Sequence, residues 1–129
     1  MIEEVVFNPP TELEVLAEEV IRRILAAPDL PVSEGTVMSL GPPPYRRIDC
    51  CGRALVYVRV RPRKSAVRVD LSGLWEVVAE CALRVPGATG SASLLVREAR
   101  EIDELIAFLR AAVNRTRTKR RFGLLPTGT

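Results

Sequence analysis

Cys50 and Cys51 are adjacent, with Asp49 before them and Gly52-Arg53 after. At a hairpin tip, Arg53 would lower a neighbouring thiol pKa and Asp49 would raise it. A reactive thiol also needs a base, and the 129 residues contain no histidine. That removes the commonest general base near neutral pH and the commonest transition-metal ligand. A Ser-His-Asp or Cys-His device cannot be built, nor a His-containing zinc site. Carboxylate, cysteine, lysine or arginine chemistry remains, and the composition argues against an enzyme. The chain has three cysteines, an odd number with two adjacent, so they read as reduced and mostly buried small hydrophobes. Neither a CxxC pair nor an evenly spaced metal framework occurs, and no cofactor is expected.

The charged residues are more informative. Tyr57, Arg59 and Arg61 fall on alternate positions of one apolar–polar run, and Arg68 on a polar position of the next. Arginines around an aromatic ring suit phosphate contact and base stacking. The plainer alternative is a solvated face, since the arginine stem covers apolar surface and its head stays in water. Further on, Arg115, Arg117, Lys119, Arg120 and Arg121 put five bases in seven residues. Such a cluster would release counterions from a phosphate backbone, giving sequence-independent and salt-sensitive affinity. Its alternative is a solubilising tail, or one that neutralises an acidic helix of a partner subunit.

Glu3, Glu4, Glu12, Glu14, Glu18 and Glu19 make the other end acidic. Glu14 and Glu18 share one helical stripe, where oxygen ligands could hold a hard cation weakly. Arg22 continues the stripe and would repel it, so an ordinary solvated face is the expectation and no metal site is assigned. Residues 1–40 hold eight acids and two bases, whereas residues 41–129 hold eight acids and seventeen bases. Arginine dominates the basic excess, with lysine only at Lys64 and Lys119. High genomic GC content is one plain source of such a bias. The chain is dipolar in either case.

The elements that must position these residues are legible in part. Thr11 and Glu14 form a capping box, and Leu13, Leu16, Ala17, Val20, Ile21 and Ile24 follow at helical period. Glu18–Arg22 and Glu19–Arg23 are expected as i,i+4 pairs, and Pro28 ends the helix near Ala27. Residues 28–44 read as a long surface connection, with Thr36–Leu40 a short strand; Met1–Phe7 reads as an edge strand or arm. A strand from Tyr45 to Cys50 then turns at Cys51-Gly52-Arg53, placing Ile48 beside Val56. Ala54, Val56, Val58 and Val60 alternate with Leu55, Tyr57, Arg59 and Arg61. With Pro62–Ser65 as a loop, Val60 faces Val67, Val58 faces Val69 and Val56 faces Leu71, so every buried pair matches. On the other side Arg59 opposes Arg68, Tyr57 opposes Asp70, and Arg47 joins them.

Residues 74–85 fit a helix through Leu74, Val77, Val78 and Cys81. They fit a strand equally well through Trp75, Val77, Ala79, Cys81, Leu83 and Val85. Alanine and glutamate content favours helix. Ser93–Arg97 reads as a strand, and Ile102 to Val113 as a second amphipathic helix ending near Asn114, with Glu101, Asp103 and Glu104 in its first turn. The expectation is an α+β two-layer sandwich, an antiparallel meander sheet with N-terminal and C-terminal helices on one face. One domain would span residues 1–114, and residues 115–129 would be a basic, flexible tail. The chain is the size of one domain, its apolar fraction is 47%, and no apolar run approaches a membrane span. With an acidic N-terminus unlike a signal peptide, a cytoplasmic location without membrane partners is expected.

The stretch Cys51-Gly-Arg-Ala-Leu-Val-Tyr-Val58 and the helix opening Glu101-Ile-Asp-Glu-Leu-Ile106 resemble the YdhG/YjbR/CyaY-like group of small bacterial domains, over about residues 11–114. The resemblance implies the sandwich fold. Members of the YjbR branch are similar to double-wing DNA-binding proteins, and the frataxin branch has an acidic first helix, to which Glu12, Glu14, Glu18 and Glu19 correspond. Three functions follow as expectations. The first is a non-catalytic domain of otherwise unknown function, binding nucleic acid or an acidic protein through Tyr57, Arg59, Arg61, Arg68 and the basic tail. The second is a protein-interaction or homo-oligomerisation module, pairing through Met1–Phe7 or a strand edge. The third is a frataxin-like metal-binding protein using Glu14 and Glu18.

Overall fold

The computed structural model describes residues 11–35 and 45–120. The expected arm Met1–Phe7, the expected strand Thr36–Leu40 and the end of the basic tail lie outside the described residues. Helix α1, Glu12–Ala26, starts on the capping box: Glu14 N–H donates to Thr11 Oγ1 at 3.1 Å and Thr11 N–H to Glu14 Oε1 at 2.8 Å. Its stripe of Val20, Ile21 and Ile24 is buried. The ion pairs on its outer face differ from the expected i,i+4 set. Glu19 pairs with Arg22 three residues on at 2.6 Å, while Glu18 and Arg23 reach off the helix to Arg46 and Asp103. Long-range partners set by packing override the local spacing.

The sheet comprises β1 (Val32–Glu34), β2 (Arg46–Cys50), β3 (Arg53–Arg61), β4 (Ala66–Leu71), β5 (Arg84–Val85) and β6 (Ala92–Val96), in the order β1-β2-β3-β4-β6-β5 and antiparallel throughout. The β3–β4 register is the one that parity dictates: Val60 with Val67, Val58 with Val69, Val56 with Leu71. Three features depart from the expected meander, the first being that β6 pairs with β4 and leaves β5 outside it at the edge. Strand β1 emerges from the segment read as connection. At the start of β3 a bulge intervenes, because Ile48 faces Val56 but Asp49 faces Ala54. Leu55 is the extra residue, so it is buried beside Val56 instead of sharing the outer face with Tyr57, and Ala54 leaves the buried row. The Leu55 carbonyl accepts from Ser72 N–H at 2.8 Å, which carries the β3–β4 register one rung beyond Leu71.

Residues 74–83 form no helix. Trp75 and Leu83 are buried, and Val77, Ala79 and Cys81 pack partly against the core, which is the period of an extended chain. The segment is a strap along α2 (Ile102–Arg120), held at one end by Glu76 N–H donating to Thr116 Oγ1 at 2.9 Å and at the other by Ala82 N–H donating to Glu104 Oε2 at 2.9 Å. Glu104 and Thr116 are roughly 18 Å apart along a helix, and six extended residues cover about 20 Å, so the two lengths match. Helix α2 therefore does not stop at Asn114 but continues to Arg120, with Thr116 fully buried in what reads in sequence as tail. Both helices lie on one face of the sheet, and their apolar stripes share a single core with Val56, Val58, Val67, Val69, Leu94 and Val96. No helix among the described residues is long and apolar enough to cross a membrane.

Candidate functional site

The face of the sheet away from the helices carries Tyr45, Arg47 and Asp49 from β2 and the residue before it, Tyr57, Arg59 and Arg61 from β3, Arg68 and Asp70 from β4, and Ser93 from β6. Strand parity puts them there, as expected for Tyr57, Arg59, Arg61, Arg68 and Arg47. The arginines are not equivalent. Arg47 forms a fork on Asp49, two positions along the same strand, at 2.7 and 3.0 Å. That bond raises the pKa of its guanidinium, fixing the charge where it is already matched. Arg68 is likewise paired along its own strand, β4: its Nε donates to Asp70 Oδ1 at 2.9 Å, and its second nitrogen donates to Ser93 Oγ at 3.0 Å. Ser93 is fully buried and donates to the same Asp70 oxygen at 2.5 Å.

Arg59 and Arg61 have no such partner. Among the described residues no carboxylate lies within ion-pair distance of either, nor of Arg63 and Lys64, which are exposed on the 3-10 turn Pro62–Lys64 at the hairpin tip. Arg59 instead sits 6.0 Å from the centre of the Tyr45 ring, and that ring meets Tyr57 edge-to-face, with centroids 5.5 Å apart and an interplanar angle of 82°. Beside this pair opens a cleft of about 400 Å³, lined by Tyr45, Tyr57, Arg59, Asp70, Ser72 and Gly90. Gly90, at φ +85°, closes its far wall: a Cβ there would stand 2.4 Å from the Leu71 carbonyl oxygen, so only glycine lets the loop lie on the end of β4.

The basic stretch of the expected tail is not part of this surface. Arg115 and Lys119 pair with Glu76, Lys119 at 2.9 Å, and Arg117 acts on Cys50 at the β2–β3 hairpin. That hairpin begins β3, whereas Arg61 ends it, roughly 26 Å away. Arg120 closes α2, and Arg121 lies outside the described residues. The structure thus unites Tyr57, Arg59 and Arg61, neutralises Arg68 beside them, and sets Arg115, Arg117 and Lys119 apart. Asp70 stands opposite Tyr57 on this face, as parity dictates, and Tyr45, Arg63 and Lys64 complete the surface without having been assigned to it from sequence. Parity could have found Tyr45, two positions before Arg47 on one strand face, whereas Arg63 and Lys64 lie on the 3-10 turn, where strand alternation does not apply.

The thiols are poorly placed for chemistry. Cys50 is buried, and burial together with the bond to Cys51 (Sγ to Sγ, 3.7 Å) pushes its pKa up to about 12. Burial also raises the Cys81 thiol. All three cysteines are free. Of the acidic candidates, Glu14 is occupied by the capping box and Glu18 by Arg46. Among the described residues no group of three or more Cys, Asp or Glu is placed to hold a metal ion. No protein-family model, curated protein or solved structure matches the chain.

Proposed function

We propose that this domain binds nucleic acid without catalysis, through the basic and aromatic sheet face of Tyr45, Tyr57, Arg59 and Arg61 continued by Arg63 and Lys64. The observation that carries the reading is the inequality among the arginines. Four cations on one hairpin have no carboxylate partner among the described residues, while their neighbours Arg47 and Arg68 are matched. An unmatched cluster keeps its field for an external polyanion, and phosphate contacts made there would release counterions. The tyrosine pair adds apolar ring area on which an unpaired base can stack, which a duplex cannot offer. Single-stranded nucleic acid is therefore the better ligand. The YjbR-like resemblance, with its similarity to DNA-binding proteins, points the same way.

The competing reading is an interaction module that pairs strand edges. Its described edges are short, β1 with three residues and β5 with two, which is how sheets avoid such pairing. Binding of single-stranded RNA and duplex DNA at low and moderate salt separates the two. The intact chain should bind the single strand with steep salt dependence. Changing Arg59 and Arg61 together to Ser should weaken it and flatten the salt slope by about two. Changing Arg117 and Lys119 to Ser should do neither. Absence of binding even at low salt ends the reading.

A further inference from the structure

The proposed single-strand site has one feature that a sequence-blind phosphate surface does not need. Asp70, the register partner of Tyr57, lines the cleft with its carboxylate. Arg68 Nε and Ser93 Oγ both donate to Oδ1, at 2.9 and 2.5 Å. Arg68 also donates to Ser93 Oγ at 3.0 Å, and Thr89 N–H donates to that oxygen at 3.3 Å. The network clamps one side of the carboxylate from beneath, with Ser93 fully buried. Oδ2 takes no hydrogen bond from any described residue, and it is not a sealed atom. A fixed acceptor thus stands open beside the tyrosine rings, with the unmatched Arg59 at the same cleft.

From this we infer, resting on the nucleic-acid reading above, that the cleft takes one unpaired base and selects for an exocyclic amino group. The cleft volume of about 400 Å³ is in the range of sites for small flat ligands. The base stacks against the tyrosines, its amino group donates to Asp70 Oδ2, and its phosphate meets Arg59. Cytosine and adenine present an amino donor on the Watson–Crick edge, and acidic side chains accept from the cytosine N4 amine. Uracil carries a carbonyl at that place, and its imino N–H sits between two carbonyl oxygens that a carboxylate repels. Because the clamp fixes Asp70 before binding, the discrimination costs no reordering of the side chain.

The test is fluorescence anisotropy with short oligo(C), oligo(A) and oligo(U) at one low salt concentration, on the full chain and on Asp70→Asn. Oligo(C) and oligo(A) should bind roughly tenfold more tightly than oligo(U). Asp70→Asn, whose amide can also donate, should bring the ratio close to one. Arg59→Ser should weaken all three oligomers alike. Equal affinity of the intact chain for the three overturns the base selection while leaving the nucleic-acid reading standing. Failure of all three to bind removes that reading and this inference with it. Should Asp70→Asn not fold, the ratio measured on the intact chain still decides.

Discussion

Glu76 donates its backbone N–H to Thr116 Oγ1 at 2.9 Å across forty positions of sequence, and Thr116 is fully buried. This one bond joins the start of the strap to the last turns of α2. Trp75, the residue before, drives its indole into the core and donates Nε1–H to the Ala54 carbonyl at 2.7 Å. The strap, the bulged start of β3 and the end of α2 are therefore a single packed corner.

Thr116→Val keeps the volume but leaves the Glu76 N–H without that acceptor. The expected loss is about 1–3 kcal/mol of unfolding free energy in a urea titration. Lys119→Ser, which removes a largely exposed ion pair to Glu76, should cost under about 1 kcal/mol. A chain ending at Asn114 should lose cooperative unfolding, because it deletes a buried contact and not a tail. If that truncation melts like the intact chain, the last turns of α2 contribute nothing to the fold.

Trp75→Phe should cost about 1–3 kcal/mol, combining a partly filled cavity with an unpaired Ala54 carbonyl. The damage should be greatest at the β2–β3 hairpin. Hydrogen exchange of amides around Cys50–Leu55 is the local readout, and unchanged protection there would argue against the corner as a unit.

Gly90→Ala and Gly87→Ala form a matched pair. Both glycines have positive φ, +85° and +76°, but an added Cβ meets the Leu71 carbonyl oxygen at Gly90 and open space at Gly87. Strain alone should cost about 1 kcal/mol at Gly87. Gly90→Ala should cost clearly more and should also disturb the tyrosine cleft, seen as a shift in tyrosine fluorescence or ring resonances. Equal melting temperatures for the two variants would contradict the close approach.

Cys50 sets a pH dependence. Its thiol is raised from an ordinary value of 9.0 to about 12 in the fold, chiefly by burial. Between those values the unfolded chain releases this proton and the folded chain keeps it, so the unfolded state is favoured as pH rises. The resulting penalty is absent below about pH 9 and grows by at most about 1.4 kcal/mol per pH unit between there and about pH 12. Cys50→Ala should flatten the decline of stability between pH 9 and 11 relative to the parent. Native alkylation should likewise spare Cys50 at pH 8 while reaching the partly exposed Cys51. An unchanged slope in the variant would rule out the buried thiol as its source.

Much of the fold is local and so was legible in the residues. The capping box of Thr11 and Glu14 and the stripe through Val20, Ile21 and Ile24 specify α1 without reference to anything distant. The β3–β4 register follows because side chains alternate with period two, and a slip by one residue would expose every valine. The same parity placed Tyr57, Arg59, Arg61 and Arg68 on one face. The absence of histidine restricts the chemistry by composition alone.

Tertiary packing decided the rest. Residues 74–83 carry a pattern that two periodicities satisfy, and the partner that selects the extended form is α2, far along the chain. Thr116 looks like tail because its immediate neighbours are Arg115 and Arg117, although it continues the stripe of Ala112 and Val113 at helical spacing. It becomes core only when Trp75 and Glu76 arrive. The bulge at Leu55 answers to the core, which takes its side chain beside Val56. Charge is the last case: composition counts arginines but cannot say which are matched. Whether a cation is free to bind depends on which carboxylates the folded backbone carries to it, and that is why Arg68 is held while Arg59 and Arg61 remain open.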